Sequence, residues 1–578
     1  MAANLHPVTL EILRNNLPAI ANEMAADLRR TSYNMMIYEV SDFCTALIDK
    51  RGRLLSQNVG GVSHFVADLG VIIDDAIRKF GENGFHPEDV IITNHQRVAG
   101  QHLNNIVIYV PFIYQGELVG FSMTRAHWID VGGMSTGFGA GPIIGEPWLE
   151  GLQLDQLKIY DRGVLNDALW TVIRDNIRYP ESSLGDMRAQ IACCRMAVRR
   201  LRDLCDKYSL ETFTGAVEQI FSETEARCRN AVARIPDGVY EAASSYDDDT
   251  VRPDEPVQIH AKVTVSGGDM TIDLSGCSKQ REGGINSRTL AAARVAYKAL
   301  TEPRSPVNEG SFQALTTIIP EGNIMMASYP APMGAWSLIL PTVVDTVFKA
   351  LAPAMKDTLA AAHHGLLGGS VSFFASNTAS GGGFVVQSLE GGGWGGGPGR
   401  DGESGTVSIC QGDVRNAPIE AIELKAPVVV EERAFRPDSG GPGTHRGGLG
   451  LKVRVRNLIE GKWNLARSRR RKCPPWGMWG GGAGETAEYL LRLPTDDGFK
   501  PIDQVMRKVP LGSEVTVLTG GGGGWGPPEQ RDPALVLEDV RQGVVSAEAA
   551  ERDYGVVVIR SELDQAATTA RRAGRGRN

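Results

Sequence analysis

The chain has 578 residues, 42% of them hydrophobic and 22% charged, and a net charge of −8. That is more chain than one core serves, so about two to four domains are expected. Such mild acidity argues against nucleic acid or a membrane surface as partner, and the opening "MAANLHPVTLEILRNN" lacks the basic and apolar segments of a signal peptide.

Leu13, Leu17, Ile20, Met24 and Leu28 recur at helical spacing and predict an opening amphipathic helix, kinked or broken at Pro18. "SDFCTALIDKRGRLLSQN" reads as two strands joined at Asp49-Lys50-Arg51-Gly52. "NIVIYVPFIY" and "ELVGFSMTRA" read as a second hairpin, turning at Gln115-Gly116. With that turn, paired residue numbers sum to about 231, setting residue 104 opposite 127 and 102 opposite 129. His102 and His127 can therefore meet.

From 165 to 234 the pattern is helical again. Met196, Leu201, Leu204 and Tyr208 form one amphipathic segment, with "PESSLGDMRAQ" as a loop leading into it. Phe213, Val217, Ile220, Thr224, Cys228 and Val232 form another. Near 235 strands take over ("VYEAASSYDDD", "PVQIHAKVTVSGG", "DMTIDLSG"), with Gly267-Gly268 a tight turn. Helices are expected at "SRTLAAARVAYKAL" and "LPTVVDTVFKALAPAM". Beyond them "GGGWGGGPG", "WGMWGGGAG" and "TGGGGGWGPP" place Trp beside Gly at no regular period. They read as loops in which glycine permits positive φ and close backbone approach while Trp caps the loop. The closing "RRAGRGRN" reads as a disordered basic tail.

The expected fold is α+β and multidomain, with a helical and hairpin-containing N-terminal part, a β-rich middle and a glycine-rich β C-terminal part. The boundaries fall at 1–234, 235–285, 286–430, 431–560 and a tail, 561–578. No run of eighteen apolar residues predicts a membrane span. The eight cysteines form no CxxC pair and are expected to be reduced, mostly buried thiols of a cytoplasmic protein.

Nucleotide motifs are missing: there is no GxxxxGK[ST], and "GFGAGP" (137–142) lacks the strand-to-helix context of a dinucleotide loop. GxSxG is absent too. Only ten histidines occur in the chain, which draws attention to His102 in "GQHLNN" and His127 in "RAHWID". Two imidazoles with nearby carboxylates suit zinc, iron or manganese, and Asp130 and Asp42 supply candidate oxygens. The same histidines could instead be hydrogen-bonded strand ends or acid–base groups. His64 is a candidate pocket neighbour. The adjacent His363 and His364 cannot both point into one pocket, and His6, His86 and His260 read as surface or structural. "ARSRRRK" (466–472) reads as a solvated charge run.

"AGQHLNNIVIYVPFIYQGELVGFSMTRAHWIDVGG" and "NIRYPESSLGDMRAQIACCRMAVRRL" resemble the hydantoinase B/oxoprolinase family. "ELKAPVVVEERAFRPDSGGPGTHRGGLGL", "CPPWGMWGGG" and the stretch from "GGGGGWGPP" to "RDYGVVV" look like its C-terminal signatures. The resemblance runs in order from residue 7 to about 560. It implies one subunit of a heteromeric enzyme. A hydantoinase A-type partner with an actin-like ATPase fold would hold ATP and Mg, and a further small subunit would be present in some assemblies. Members include ATP-dependent hydrolases of cyclic amides and ATP-dependent ketone carboxylases. The family pattern also implies a divalent metal, zinc foremost with manganese or iron as alternatives. Its ligands fall on Asp42, His102, position 105 and His127, and His102 and His127 are the implied catalytic groups.

Position 105 is Asn here, where the pattern has Asp. That departure leans the expected reaction toward an acetophenone carboxylase-type enzyme using bicarbonate and a ketone, with the metal and His127 polarising oxygen. Cyclic-amide hydrolysis and a non-catalytic scaffold are the alternatives.

Overall fold

The computed structural model describes residues 5–249, 251–365, 369–375, 384–465, 470–502 and 506–575, apart from 135–144. The "GFGAGP" segment therefore lies outside the described residues, as do 466–469 of the basic run and 576–578 of the tail.

Helix α1 (Pro7–Thr31) runs unbroken through Pro18. The residue costs it one backbone bond, whereas Leu13, Leu17, Ile20, Met24 and Leu28 are all buried, and that packing outweighs the loss. A short helix, α2 (Met35–Tyr38), leads into a seven-stranded sheet of order β2-β1-β5-β4-β3-β6-β7. Its strands are β1 (Phe43–Asp49), β2 (Leu54–Gln57), β3 (Val90–Thr93), β4 (Asn105–Tyr114), β5 (Glu117–His127), β6 (Leu157–Asp161) and β7 (Val164–Leu165). Both expected hairpins are present. Gln115 and Gly116, at φ +51° and +87°, form the tight turn between β4 and β5.

Helices α3 (Ser63–Val66) and α4 (Leu69–Phe80) follow β2, and α5 (Asp167–Asp175), α6 (Pro180–Tyr208) and α7 (Leu210–Val232) follow the sheet. The stretch expected as a loop, 180–190, is instead the first three turns of α6. Its buried face carries Ser183, Gly185, Asp186 and Gln190, so the apolar period that marks a helix is interrupted there. Gln190 accepts from Trp128 Nε1 (2.8 Å) and donates to the Ile106 carbonyl (3.2 Å). At Gly185 a Cβ would lie 2.5 Å from the Tyr33 ring, so a larger residue would have to displace that side chain.

Strands β8 (Gly238–Tyr246), β9 (Val257–Ser266) and β10 (Asp269–Asp273) form a second sheet with β11 (Leu315–Ile318), which pairs parallel to β10. The expected boundary near 285 is thus crossed by a sheet. Helices α8 (Ala291–Thr301) and α9 (Leu340–Leu351) lie where expected. The boundary near 430 is crossed in the same way, because strands 369–375 and 384–390 share a sheet with 461–465 and 506–509. A five-stranded antiparallel sheet completes the C-terminal part.

The glycine clusters form a packed array of extended backbones. Successive N–H groups of 521–526 donate to Glu485, Gly448, Ala362, Gly482, His445 and Met478 at 2.8–3.0 Å. Through Trp525 they therefore turn in rotation to three neighbouring segments, a threefold period like that of polyproline II, and Gly526 breaks the rotation. Of the run 519–528 only Gly526 has positive φ, so close approach is what requires glycine here. The tail, expected disordered from 561, is helical over Gln565–Arg575. Arg572 anchors it by donating to the carbonyls of Tyr554 (3.0 Å) and Arg531 (2.8 Å). All eight cysteines are free, and all but Cys473 are buried. No helix among the described residues is long and apolar enough to cross a membrane.

Candidate active site

Strands β4 and β5 end side by side, and a bulge decides what meets there. Ile113 pairs with Leu118, but Phe112 pairs with Gly120, so Val119 is an extra residue and the shifted register sets Asn105 opposite His127. The expected partner was residue 104. Directly opposed residues share a face, so the bulge brings Asn105 to His127. Asn104 turns away, its Nδ2 donating to the Trp128 carbonyl (2.8 Å).

His102 lies just before β4, and its ring meets that of His127 edge to face with centroids 5.0 Å apart. Both are buried. Burial disfavours the imidazolium, taking His102 down to about 4 and His127 well below the ordinary histidine value. His64 is buried likewise and held at about 3. Its Nδ1 donates to the Cys410 carbonyl (2.6 Å), and Trp336 packs against it with ring centroids 4.9 Å apart. Trp336 also lies 6.3 Å from the His102 ring. Two neutral imidazoles, His64 and His102, thus flank one indole, and His127 adjoins His102.

A chain of amides orients His102. Gln101 Nε2 donates to the His64 carbonyl (3.3 Å), Asn105 Nδ2 donates to Gln101 Oε1 (2.8 Å), and His102 Nε2 donates to Asn105 Oδ1 (2.9 Å). The loop itself is braced by Glu150, which accepts from Gln96 Nε2 (3.0 Å) and the Leu103 N–H (3.2 Å) and is pushed by burial up to about 7. Asp186 braces the other side. It accepts from the N–H groups of Tyr33 (2.7 Å) and Asn34 (3.2 Å), while Asn34 Nδ2 donates to the His127 carbonyl (3.2 Å). Two positions before His127, Arg125 is buried with its guanidinium 5.7 Å from the centre of the Phe65 ring.

The remaining expected residues are placed differently. Asp42 is joined to His127 through the backbone, its carbonyl accepting the His127 N–H (3.1 Å). Its carboxyl is buried, which raises it to about 7, and it accepts no hydrogen bond among the described residues. Asp130 is committed to Arg178, whose Nη1 lies 2.7 Å from its Oδ1 and whose backbone N–H bonds its Oδ2 (2.5 Å). Among the described residues no three His, Cys, Asp or Glu side chains are placed to hold a metal ion. The donors that do converge are two imidazoles and an amide whose oxygen is already hydrogen-bonded. That set falls short of the three converging anionic or imidazole ligands of a closed metal centre.

Other histidines and the basic run hold surprises. His363 Nδ1 is 2.7 Å from Asp345 Oδ1. Arg470, expected to be solvated, is buried, with Nη1 donating to Asp345 Oδ2 (3.3 Å) and to the His363 carbonyl (2.9 Å). His6 caps α1, and His260 sits 3.4 Å from Glu241 on the surface of the second sheet. Sequence reasoning missed Glu150, Asp186, Trp336 and Arg125, because each reaches the site from a distant segment or an alternating strand position. Only Gln101, inside "GQHLNN", stood next to a residue already singled out.

Comparisons with known proteins identify the family and the fold. The family model described as hydantoinase B/oxoprolinase matches residues 6–528. A candidate D-/L-hydantoinase B-type subunit of Pseudomonas sp. (strain NS671) is 31% identical over 96% of this chain and 96% of its own length. The crystal structure of the ATP-dependent caprolactamase from Pseudomonas jessenii superposes with a TM-score of 0.92 at 25% identity, covering 99% of this chain and 100% of that one. A nucleotide-free acetone carboxylase shares the fold, with a TM-score of 0.87 at 19% identity over 99% of this chain and 83% of that chain. With matches along nearly its whole length, the chain belongs to the hydantoinase B/oxoprolinase family.

Proposed function

We propose that the chain is one subunit of an ATP-dependent cyclic-amide hydrolase, acting on a hydantoin or lactam together with a separate ATP-binding subunit. The observation that carries this reading is the buried, neutral His102–His127 pair, in a chain whose sequence has no phosphate-binding loop. Asn105 leaned the expectation toward ketone carboxylation. The caprolactamase likeness, at higher identity than the acetone carboxylase likeness, supports the hydrolase instead.

Amide resonance makes a lactam carbon a poor electrophile. Transfer of a phosphoryl group to its oxygen, by the partner, removes that protection. Water then adds to the carbon, giving up a proton. The C–N bond breaks as nitrogen takes a proton, and the resulting acyl phosphate is hydrolysed by a second water. Neutral imidazoles suit these proton transfers. His127 accepts from water, and the imidazolium so formed returns that proton to the leaving nitrogen, while His102, held by Asn105 through its Nε2–H, fixes the position of the His127 ring. The incoming phosphoryl group is anionic, so it raises the proton affinity of both rings from their depressed values toward the working pH. Arg125 adds fixed positive charge nearby, and the buried surroundings keep bulk water from the activated intermediate.

Purified with its ATP-binding partner, the chain is expected to open hydantoin or a lactam with ATP and without bicarbonate. His127→Ala should lower kcat/KM by about 100-fold or more while the complex still forms by gel filtration. ATP consumption that needs both a ketone and bicarbonate would replace this reading with carboxylation. Full turnover by the variant would remove His127 from the mechanism.

A further inference from the structure

A cavity of about 380 Å³ opens between β2, α3, α8 and the segment 303–312. That volume falls within the range of small-molecule sites. Its floor is apolar, with Leu54, Val66, Val295 and Phe312. Its wall carries Arg294, Lys298 and Arg304, and no Asp or Glu lines it. In a chain of net charge −8, three cations around one concavity with no lining acid is a local reversal of sign, and a concave wall of one charge focuses its field.

The three cations are unequally engaged. Arg294 stacks on Phe312 (4.7 Å to the ring centre), pairs with Glu309 (3.3 Å) and donates to the Ala67 carbonyl (3.2 Å). Lys298 bonds only the Glu302 carbonyl and makes no ion pair among the described residues. Its burial lowers the proton affinity of the ammonium, a cost that an arriving anion would offset. Arg304 is exposed at the rim and makes neither an ion pair nor a hydrogen bond among the described residues. The side-chain amide oxygen of Gln57, a lining residue, is buried without a hydrogen-bond partner.

From this combination we infer that the cavity binds a small amphipathic organic anion, a carboxylate or phosphate on an apolar body. The anionic group sits between Lys298 and Arg304, and the apolar body lies against Val66, Val295 and Phe312. The site is separate from the imidazole pair. Neither His102 nor His127 lines it, and α3 contributes Ser63 to the cavity while His64 packs on Trp336.

Isothermal titration of the full chain tests this with four probes: N-benzoylglycine, its neutral amide, phenyl phosphate and inorganic phosphate. At least one of the two aromatic anions should bind with a stoichiometry of one per chain, weaken as salt is added, and bind at least tenfold more tightly than the neutral amide. Tight binding of phenyl phosphate alone would identify a phosphate site, and of N-benzoylglycine alone a carboxylate site. Arg304→Gln, at an exposed position, should cost at least tenfold in affinity. Ala299→Trp, which fills the cavity, should abolish binding with the fold retained by circular dichroism. His127→Ala should leave probe binding unchanged, which separates this site from the hydrolase reading. Equal binding of the neutral amide, binding by inorganic phosphate as tight as by the aromatic anions, affinity unchanged in Arg304→Gln, or no binding of either aromatic anion at millimolar concentration would overturn the inference.

Discussion

Asn105 is the residue on which the chemistry of the site turns. Its oxygen accepts from His102 Nε2 and its amide N–H donates to Gln101, so it serves as an orienting group rather than as an anionic ligand. An amide oxygen carries no net charge and binds a hard cation less strongly than a carboxylate. Asn105→Asp would put a carboxylate beside the two histidines. Equilibrium dialysis with elemental analysis should then show added Zn²⁺ or Mn²⁺ held at least tenfold more tightly by the variant than by the native chain. Equal retention would place position 105 outside any donor set. The histidines themselves were legible because histidine is scarce in this chain and the hairpin signal was strong. Their mutual approach could be anticipated to within one position; the residue facing His127 could not, since a bulge at Val119 leaves no mark in an apolar alternating run.

At the scale of elements, α6 is the one that sequence periodicity misread, and the reason is functional geometry. Its first turns bury polar residues that clamp the site from behind. Asp186 accepts both of its N–H bonds at Oδ1, while Oδ2 is buried without a partner, and burial raises its carboxyl to about 7. A folded value above the unfolded one means the protonated form is preferred in the native state. The stability it contributes is full below about pH 4 and is lost as pH rises through 7. Asp186→Asn keeps the accepting oxygen and removes the titration. Denaturant unfolding should therefore find the variant gaining on the native protein between pH 4 and 7, by about 1.4 kcal/mol per pH unit at most, with the difference level above pH 7. Parallel stability curves across that window would show that Asp186 does not titrate with folding. Helix α1 teaches the converse lesson, because a local helix breaker at Pro18 is overridden once five apolar side chains on one face find a sheet to cover.

Across the whole molecule, the expected boundaries at 285 and 430 are crossed by paired strands, and the glycine array ties together segments that are up to 164 residues apart, from Ala362 to Trp525–Gly526. At Gly522 a Cβ would stand 1.9 Å from the Trp394 carbonyl oxygen and 2.6 Å from the Gly395 nitrogen. These are backbone atoms held from both sides, so they cannot yield as a side chain could. Gly522→Ala is expected to cost roughly 3 kcal/mol or more in denaturant unfolding, or to abolish soluble expression. Gly498→Ala, where an added Cβ meets nothing within 4 Å, should be near neutral. A near-neutral Gly522→Ala would mean the array is looser than its hydrogen bonds imply.

What the sequence by itself determined is whatever depends on neighbours along the chain: the amphipathic helices, both hairpins and their turns, the reduced cysteines, and the prominence of His102 and His127. Several contiguous signatures also carried the family, and the matching model and relatives bear that out. Only the tertiary structure decided which side chains share a volume. It turned Asp130 toward Arg178, set Asn105 opposite His127, buried Arg470 against Asp345, and drew Glu150 and Asp186 beneath the site. The physical reason is common to all of them. Burial and hydrogen-bond satisfaction are properties of a packed volume, where partners tens or hundreds of residues apart compete for the same polar groups, and no local pattern records which of them wins.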